Sequence, residues 1–222
     1  MTTALIIFAK YPQAGKVKTR LAATIGEQQA CALYREFVRW FLQRMLRTDL
    51  FDEIAFAVSP QEHLAGFEKL FPGADAYVAQ NPARDLGGRM DEVMRLWRAR
   101  GFQRVLITGT DSPNLPIAYL QQAVEALSRH DVVFGPADDG GYYLVGQSKP
   151  VAGMFDDINW STETVLQESV EKLLQSGTSY HLLPAYYDID DIAGLRRLDE
   201  EAPGLLARAG VSLPVLSGNV EM

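Results

Sequence analysis

The chain has 222 residues, 47% hydrophobic and 22% charged, with a formal net charge of −7 at pH 7. This is the composition of a soluble globular protein, and the length suits one α/β domain over residues 1–222. The acidic balance excludes a sequence-independent nucleic-acid surface, and no apolar run reaches the roughly 18 residues that span a bilayer. The single cysteine, Cys31, excludes an intrachain disulfide, and the short apolar start lacks the basic segment of a signal peptide, so a cytoplasmic location is expected.

Ala4–Ala9 is continuously apolar, the pattern of a strand buried on both faces. A loop from Lys10 to Leu21 follows, with four cations, Lys10, Lys16, Lys18 and Arg20, and with Gly15. From about Glu27 to Arg47, apolar residues from Ala30 to Met45 hold helical spacing. Glu27 in the first turn and Arg44 and Arg47 in the last suit the helix dipole. Glu53–Val58 reads as a strand, Gln61–Leu70 as a short helix and Ala76–Gln80 as a third strand. Asn81–Arg89 is a Gly-rich loop opening a helix from about Met90 to Arg100.

Val105–Ile107 is the next buried strand, stopped by Gly109-Thr110, with Asp111 at its carboxyl end. Pro113 and Pro116 forbid its continuation, and Leu120, Val124 and Leu127 repeat at helical spacing. Asp131–Gly135 and Tyr142–Gly146 follow each other with no helix between. Ser161–Leu174 reads as a helix with Ser161 as N-cap, Leu182–Tyr187 as a strand, and two short helices follow Asp188-Ile-Asp-Asp191. The fold expected is α/β, a doubly wound, mostly parallel sheet with helices on both faces, made mixed by an antiparallel insertion over Asp138–Gly146.

Ligands of open α/β sheets bind at the carboxyl ends of strands, which is where Asp111 falls; a turn or N-cap role is the plain alternative. Lys10, Lys18 and Arg20 are suited to neutralise a pyrophosphate, and Gly15 would let backbone approach an anion. Three carboxylates in Asp188–Asp191 repel one another unless a cation relieves them. Joined with Asp111 they would make an oxygen-only site for Mg²⁺ or Mn²⁺, the alternative being a helix cap. Asp138-Asp139-Gly140-Gly141 reads either as a turn or as a grip on a polyhydroxy ligand. Gly87 and Gly88 would let a helix N-terminus approach a nucleotide, with a plain turn as the simpler reading. His63, His130 and His181 share no metal-ligand spacing.

Five segments together, Phe8–Leu21, Asp85–Met90, Gly109–Pro113, Pro136–Leu144 and Asp188–Asp191, resemble the nucleotide-diphospho-sugar transferase superfamily, the glycosyltransferase A fold. The nearest resemblance is to small bacterial transferases described as glycosyltransferases and linked to arsenosugar biosynthesis. Phospholactate guanylyltransferase and the molybdenum-cofactor nucleotidyltransferases are more distantly similar. The resemblance implies a nucleotide sugar or a nucleoside triphosphate as donor, gripped by Lys10, Lys18 and Arg20, and an unidentified small acceptor. It also implies a Mg²⁺ or Mn²⁺ ion on Asp111 and Asp190, with Lys18, Arg20, Asp111 and Asp139 as catalytic residues and Gly15, Gly87 and Gly88 at the nucleotide. The central motif is Asp-Ser-Pro, with one acid, where many glycosyltransferases of this fold carry Asp-x-Asp. Both glycosyl and nucleotidyl transfer therefore stand, as does a non-catalytic nucleotide-binding domain.

Overall fold

The computed structural model describes residues 1–213. Its contacts divide the chain into two compact units, one of Met1–Tyr11 with Phe37–Asp188, the other of Pro12–Glu36 with the chain from Ile189 onward. Among the described residues the first unit holds seven strands: β1 Thr3–Lys10, β2 Glu53–Ser59, β3 Ala76–Ala79, β4 Arg104–Thr108, β5 Val132–Pro136, β6 Tyr142–Gln147 and β7 Tyr180–Leu182. They form one sheet in the order β3-β2-β1-β4-β6-β5-β7. β6 alone runs antiparallel, between β4 and β5; the other pairings are parallel. The expected doubly wound, mixed sheet is therefore what forms.

The helices, in chain order, are α1 Thr19–Ile25, α2 Glu27–Met45, α3 Leu64–Leu70, α4 Leu86–Ala99, α5 Ile117–Ala126, α6 Val165–Gln175, α7 Ile192–Glu201 and α8 Leu205–Arg208. Alternation along each strand sends successive side chains to opposite faces. One face carries Ala4, Ile6, Ala55, Ala57, Val105 and Ile107, packed with Met90, Val93, Met94 and Trp97 of α4 and Leu173 of α6. On the other, Phe56 meets Phe67 of α3 edge-on at 5.0 Å, and Leu127, just past α5, lies against Gly146 beside Val133. The core strands are apolar on both faces because helices cover both. The second unit contains α1, the start of α2, α7 and α8, with Leu21, Cys31, Leu33, Leu195, Leu198 and Leu205 buried. Among the described residues no helix is long and apolar enough to cross a membrane.

Parallel pairing puts the carboxyl ends of β1, β2, β3, β4, β5 and β7 along one edge, and β6 begins there. The segments after β3 and β4, the β5–β6 turn and the run from Leu183 to Asp188 therefore all emerge at that edge.

Several boundaries differ from the sequence reading. Thr19–Ile25 is a helix that begins inside the loop expected over Lys10–Leu21: Lys18, at its N-cap, has φ 48° and ψ 45° and gives no side-chain cap, so no capping signature marks its start. The helix read from Ser161 begins at Val165; Ser161 has φ 67°, which no helix accepts. The strand read at Leu182–Tyr187 is β7 at Tyr180–Leu182, followed by a lone bridge from Ala137 to Tyr186.

The real α6 start is held by Glu168. Its carboxylate accepts from Asn159 N at 2.8 Å, Asn159 Nδ2 at 2.9 Å and Thr164 Oγ1 at 2.6 Å. These donors, Asn159 first, lower its pKa to about 2. A carboxyl depressed in the folded state stabilises above its unfolded pKa and loses that contribution as pH falls towards the folded value. Wild-type stability should therefore decline between about pH 4.5 and pH 2 more steeply than that of Glu168→Gln, as urea unfolding across that range would measure; parallel profiles would remove this role.

Candidate functional site

In the first unit the acid-bearing loop after β4 is fastened residue by residue. Thr108 Oγ1 donates to Tyr143 O at 2.9 Å and Gly109 N to the same carbonyl at 3.4 Å, which extends β4 against β6. Asp111 is exposed at the carboxyl edge. It caps no helix: α5 starts six residues later, with Pro116 as N-cap and no side-chain cap. Beside it, buried Ser112 points its hydroxyl at Asp188 Oδ1, 2.7 Å away, and Tyr187 O, 2.9 Å away. One hydroxyl has a single proton, so these two acceptors share it. Ser112 thus ties the loop that carries Asp111 to Asp188. Asn114 Nδ2 donates to Tyr187 Oη at 2.9 Å, and Tyr186 Oη donates to Asn114 O at 3.4 Å.

Asp138 and Asp139 are exposed in the β5–β6 turn, at the same edge. Asp139 Oδ1 accepts from Gly141 N at 3.0 Å, and Ala137 N donates to Gly141 O at 3.1 Å, so the turn reading holds and the Asp139 carboxylate is oriented by it. Gly140 has φ 88°, and a Cβ there would run into the Glu163 backbone, while Leu166 N of α6 donates to Gly140 O at 3.0 Å.

Asp85 is the N-cap of α4, accepting from Gly88 N at 2.8 Å. Arg89 Nε donates to Asn81 O and Arg84 O at 3.1 and 2.9 Å, which closes the loop in front of the helix. Gly87 is buried; a Cβ there would stand 2.6 Å from Phe155 O and 2.6 Å from Trp160 Cζ2. Its glycine is explained by that close approach. Gly87→Ala should therefore destabilise by about 2 kcal/mol, as overpacking against a fixed backbone does. Thermal unfolding about 5 °C below wild type would show it; an unchanged midpoint would mean the loop yields freely.

The second unit gathers Lys18, Arg20 and Asp190. The Lys18 side chain is 2% exposed, although its stem leaves the backbone in the left-handed region. Its ammonium donates to Ile189 O at 2.8 Å and Asp190 Oδ1 at 3.1 Å. Arg20 Nη1 lies 3.5 Å from Asp190 Oδ2, with the arginine side chain 79% exposed. Gly15 turns the loop at φ 75°, and the Glu27 carboxylate lies 3.1 Å from where its Cβ would stand. Lys10 ends β1 and is exposed. Asp191 is the N-cap of α7, accepting from Gly194 N at 2.8 Å, so of the three neighbouring acids this one has the capping role.

Among the described residues no three His, Cys, Asp or Glu side chains stand together as a ready-made metal cage. Magnesium-type ions are usually held by one or two carboxylates, with water and substrate phosphates completing the shell. The oxygens of Ile189 and Asp190 already converge on a cation, the Lys18 ammonium. A hard-oxygen pair of that kind fits such an ion.

Residues 41–162 match the family described as "Uncharacterized protein conserved in bacteria (DUF2064)". A protein from Desulfovibrio desulfuricans G20, provisionally assigned as a nucleotide-diphospho-sugar transferase, is 32% identical over 94% of each chain, with a TM-score of 0.85. The inositol-1-phosphate CTP transferase of T. maritima is 12% identical over 97% of this chain and 98% of its own, with a TM-score of 0.59. Rv0371c of Mycobacterium tuberculosis H37Rv, in its complex with manganese, is 16% identical over 90% of this chain and 98% of its own, with a TM-score of 0.51. The last two share the fold. No curated protein matches the chain. The architecture is that of the nucleotide-diphospho-sugar transferases and nucleotidyltransferases, as the five sequence segments implied.

Proposed function

This chain belongs to the bacterial family DUF2064, and from that premise we propose that it is a metal-dependent transferase acting on a nucleotide-activated donor. The donor is a nucleotide sugar and the reaction glycosyl transfer. The observation that carries the reading is the oxygen pair of Ile189 and Asp190 closed on a buried ammonium, next to the exposed guanidinium of Arg20. Such an arrangement suits a cation and a phosphate together.

In the first unit we assign Asp111 to the ion, with Asp188, held by Ser112, as a further acid there; in the second we assign Asp190 to a cation through the oxygen pair it forms with Ile189. When bound, Mg²⁺ or Mn²⁺ supplies Lewis-acid neutralisation of charge on the departing diphosphate. Arg20 and Lys10 bind the donor's phosphates, and Lys18 joins them by turning from Asp190. The Asp85–Arg89 turn, with Gly87 and Gly88, receives the nucleoside end. Asp139, oriented by Gly141 N, takes the proton of the acceptor hydroxyl as its oxygen bonds to the sugar carbon and the bond from that carbon to phosphate breaks.

A second reading, nucleotidyl transfer from a nucleoside triphosphate, is favoured by the single acid of Asp111-Ser112-Pro113. The products separate the two. A nucleoside diphosphate released from a sugar nucleotide supports the first, and pyrophosphate released from a triphosphate supports the second. A protein that binds neither nucleotide nor Mn²⁺ at millimolar concentration is not a transferase of this kind.

A further inference from the structure

Arg44 lies in the last turn of α2, where its sequence position suggests only a partner for the helix dipole. Its side chain goes elsewhere. Nη1 donates to Pro113 O and Nη2 to Leu115 O, both at 2.7 Å. The pairing follows from the sequence of the loop. Two prolines, Pro113 and Pro116, remove amide donors and stop the strand from pairing further. The carbonyls between them are therefore left at a sheet edge without ladder partners, and buried carbonyls need donors. The arginine fork supplies two donors in one rigid plane, so a single side chain fixes both the spacing and the direction of these carbonyls. Lysine has only a point charge to offer.

We propose that Arg44 is a positioning residue for Asp111, locking the Asp111–Leu115 loop from the α2 side while Ser112, Asn114 and the Tyr186–Asp188 run lock it from the other. Each residue from Ser112 to Leu115 then has an anchor: Ser112 on Asp188 and Tyr187, Pro113 on Arg44, Asn114 on both tyrosines, and Leu115 on Arg44. Asp111 is exposed, lies three residues past the end of β4 and immediately precedes this clamped segment, so its backbone is held from both sides. Burial of the guanidinium lowers its pKa, with Tyr186 acting in the opposite sense. Two short hydrogen bonds offset the cost of keeping such a charge in place.

The catalytic half of the inference rests on the function proposed above, and the test separates the two. Arg44→Met and Arg44→Lys would be compared with wild type in the full-length protein by hydrogen–deuterium exchange, by Mn²⁺ binding followed through electron paramagnetic resonance, and by thermal unfolding. Arg44→Met should speed exchange in peptides covering residues 109–117 while β1 and β2 keep wild-type protection. It should weaken Mn²⁺ binding about 10-fold, as loss of an outer-shell support does. Arg44→Lys, which reaches one carbonyl at a time, should recover part of that loss. Faster exchange spread over the whole sheet, or unchanged exchange in the loop, overturns the positioning role whatever the metal data. Wild-type Mn²⁺ affinity in a loosened Arg44→Met overturns the link to Asp111 and leaves the proposed function intact. A wild-type protein that takes up no Mn²⁺ overturns the function and the link together.

Discussion

Asp111→Asn is expected to lower turnover about 1,000-fold, with an unfolding midpoint within about 2 °C of wild type. The size of the kinetic effect follows from what the carboxylate is assigned to do. A divalent ion on the diphosphate contributes several kcal/mol to the transition state, and an amide oxygen holds a hard cation far less well than a carboxylate. The small effect on stability follows from exposure. Asp111 is exposed at the sheet edge and caps no helix, and substitutions at exposed positions away from caps and cores usually change stability little. Mn²⁺ binding should weaken in parallel with turnover. A variant that releases nucleoside diphosphate at near-normal rates would remove Asp111 from the metal site.

Asp190→Asn should lower stability as well as turnover. The Lys18 side chain is 2% exposed, and the change would replace the carboxylate paired with its ammonium by a neutral amide. Breaking a buried ion pair leaves an uncompensated charge, at a cost of 3–5 kcal/mol in fully buried cases. Asp190 is itself 42% exposed, so solvent already screens part of the attraction and about 2 kcal/mol is a fairer expectation. Thermal unfolding should drop by about 6 °C. The double variant Lys18→Met with Asp190→Asn removes the stranded charge and should regain more than half of that loss, yet remain inactive. Strict additivity of the two single changes would mean that the pair is not coupled.

Much of the architecture was legible because the strands of this sheet are apolar on both faces and bounded by glycine or proline. Ala4–Ala9, Glu53–Val58 and Val105–Ile107 each fall inside an observed strand. The antiparallel insertion was legible from two strand-like runs with no helix between. The start of α1 was not, because its N-cap is a lysine in a left-handed conformation rather than a serine or aspartate. At Asp85, Asp139 and Asp191 the plain readings as caps or turns account for observed hydrogen bonds. Asp111, by contrast, caps no helix, since α5 starts six residues later with Pro116 as its N-cap. The reach of Arg44 to Pro113 O and Leu115 O was not legible, for a geometric reason. Helical periodicity reports which face a side chain leaves from, but not which distant carbonyls a long side chain reaches. Lys18 shows the same limit, since a cation in a basic loop reads as solvated until tertiary structure turns it inward.

The strands at the two margins of the sheet are short, four residues in β3 and three in β7. A long outer strand offers a row of open amides and carbonyls on which another chain can grow. Here the ladder available to an incoming neighbour is brief at either margin, and beyond β7 Pro184 interrupts it with a residue that has no amide hydrogen to give. An incoming chain therefore finds few open ladder positions at either margin on which to pair.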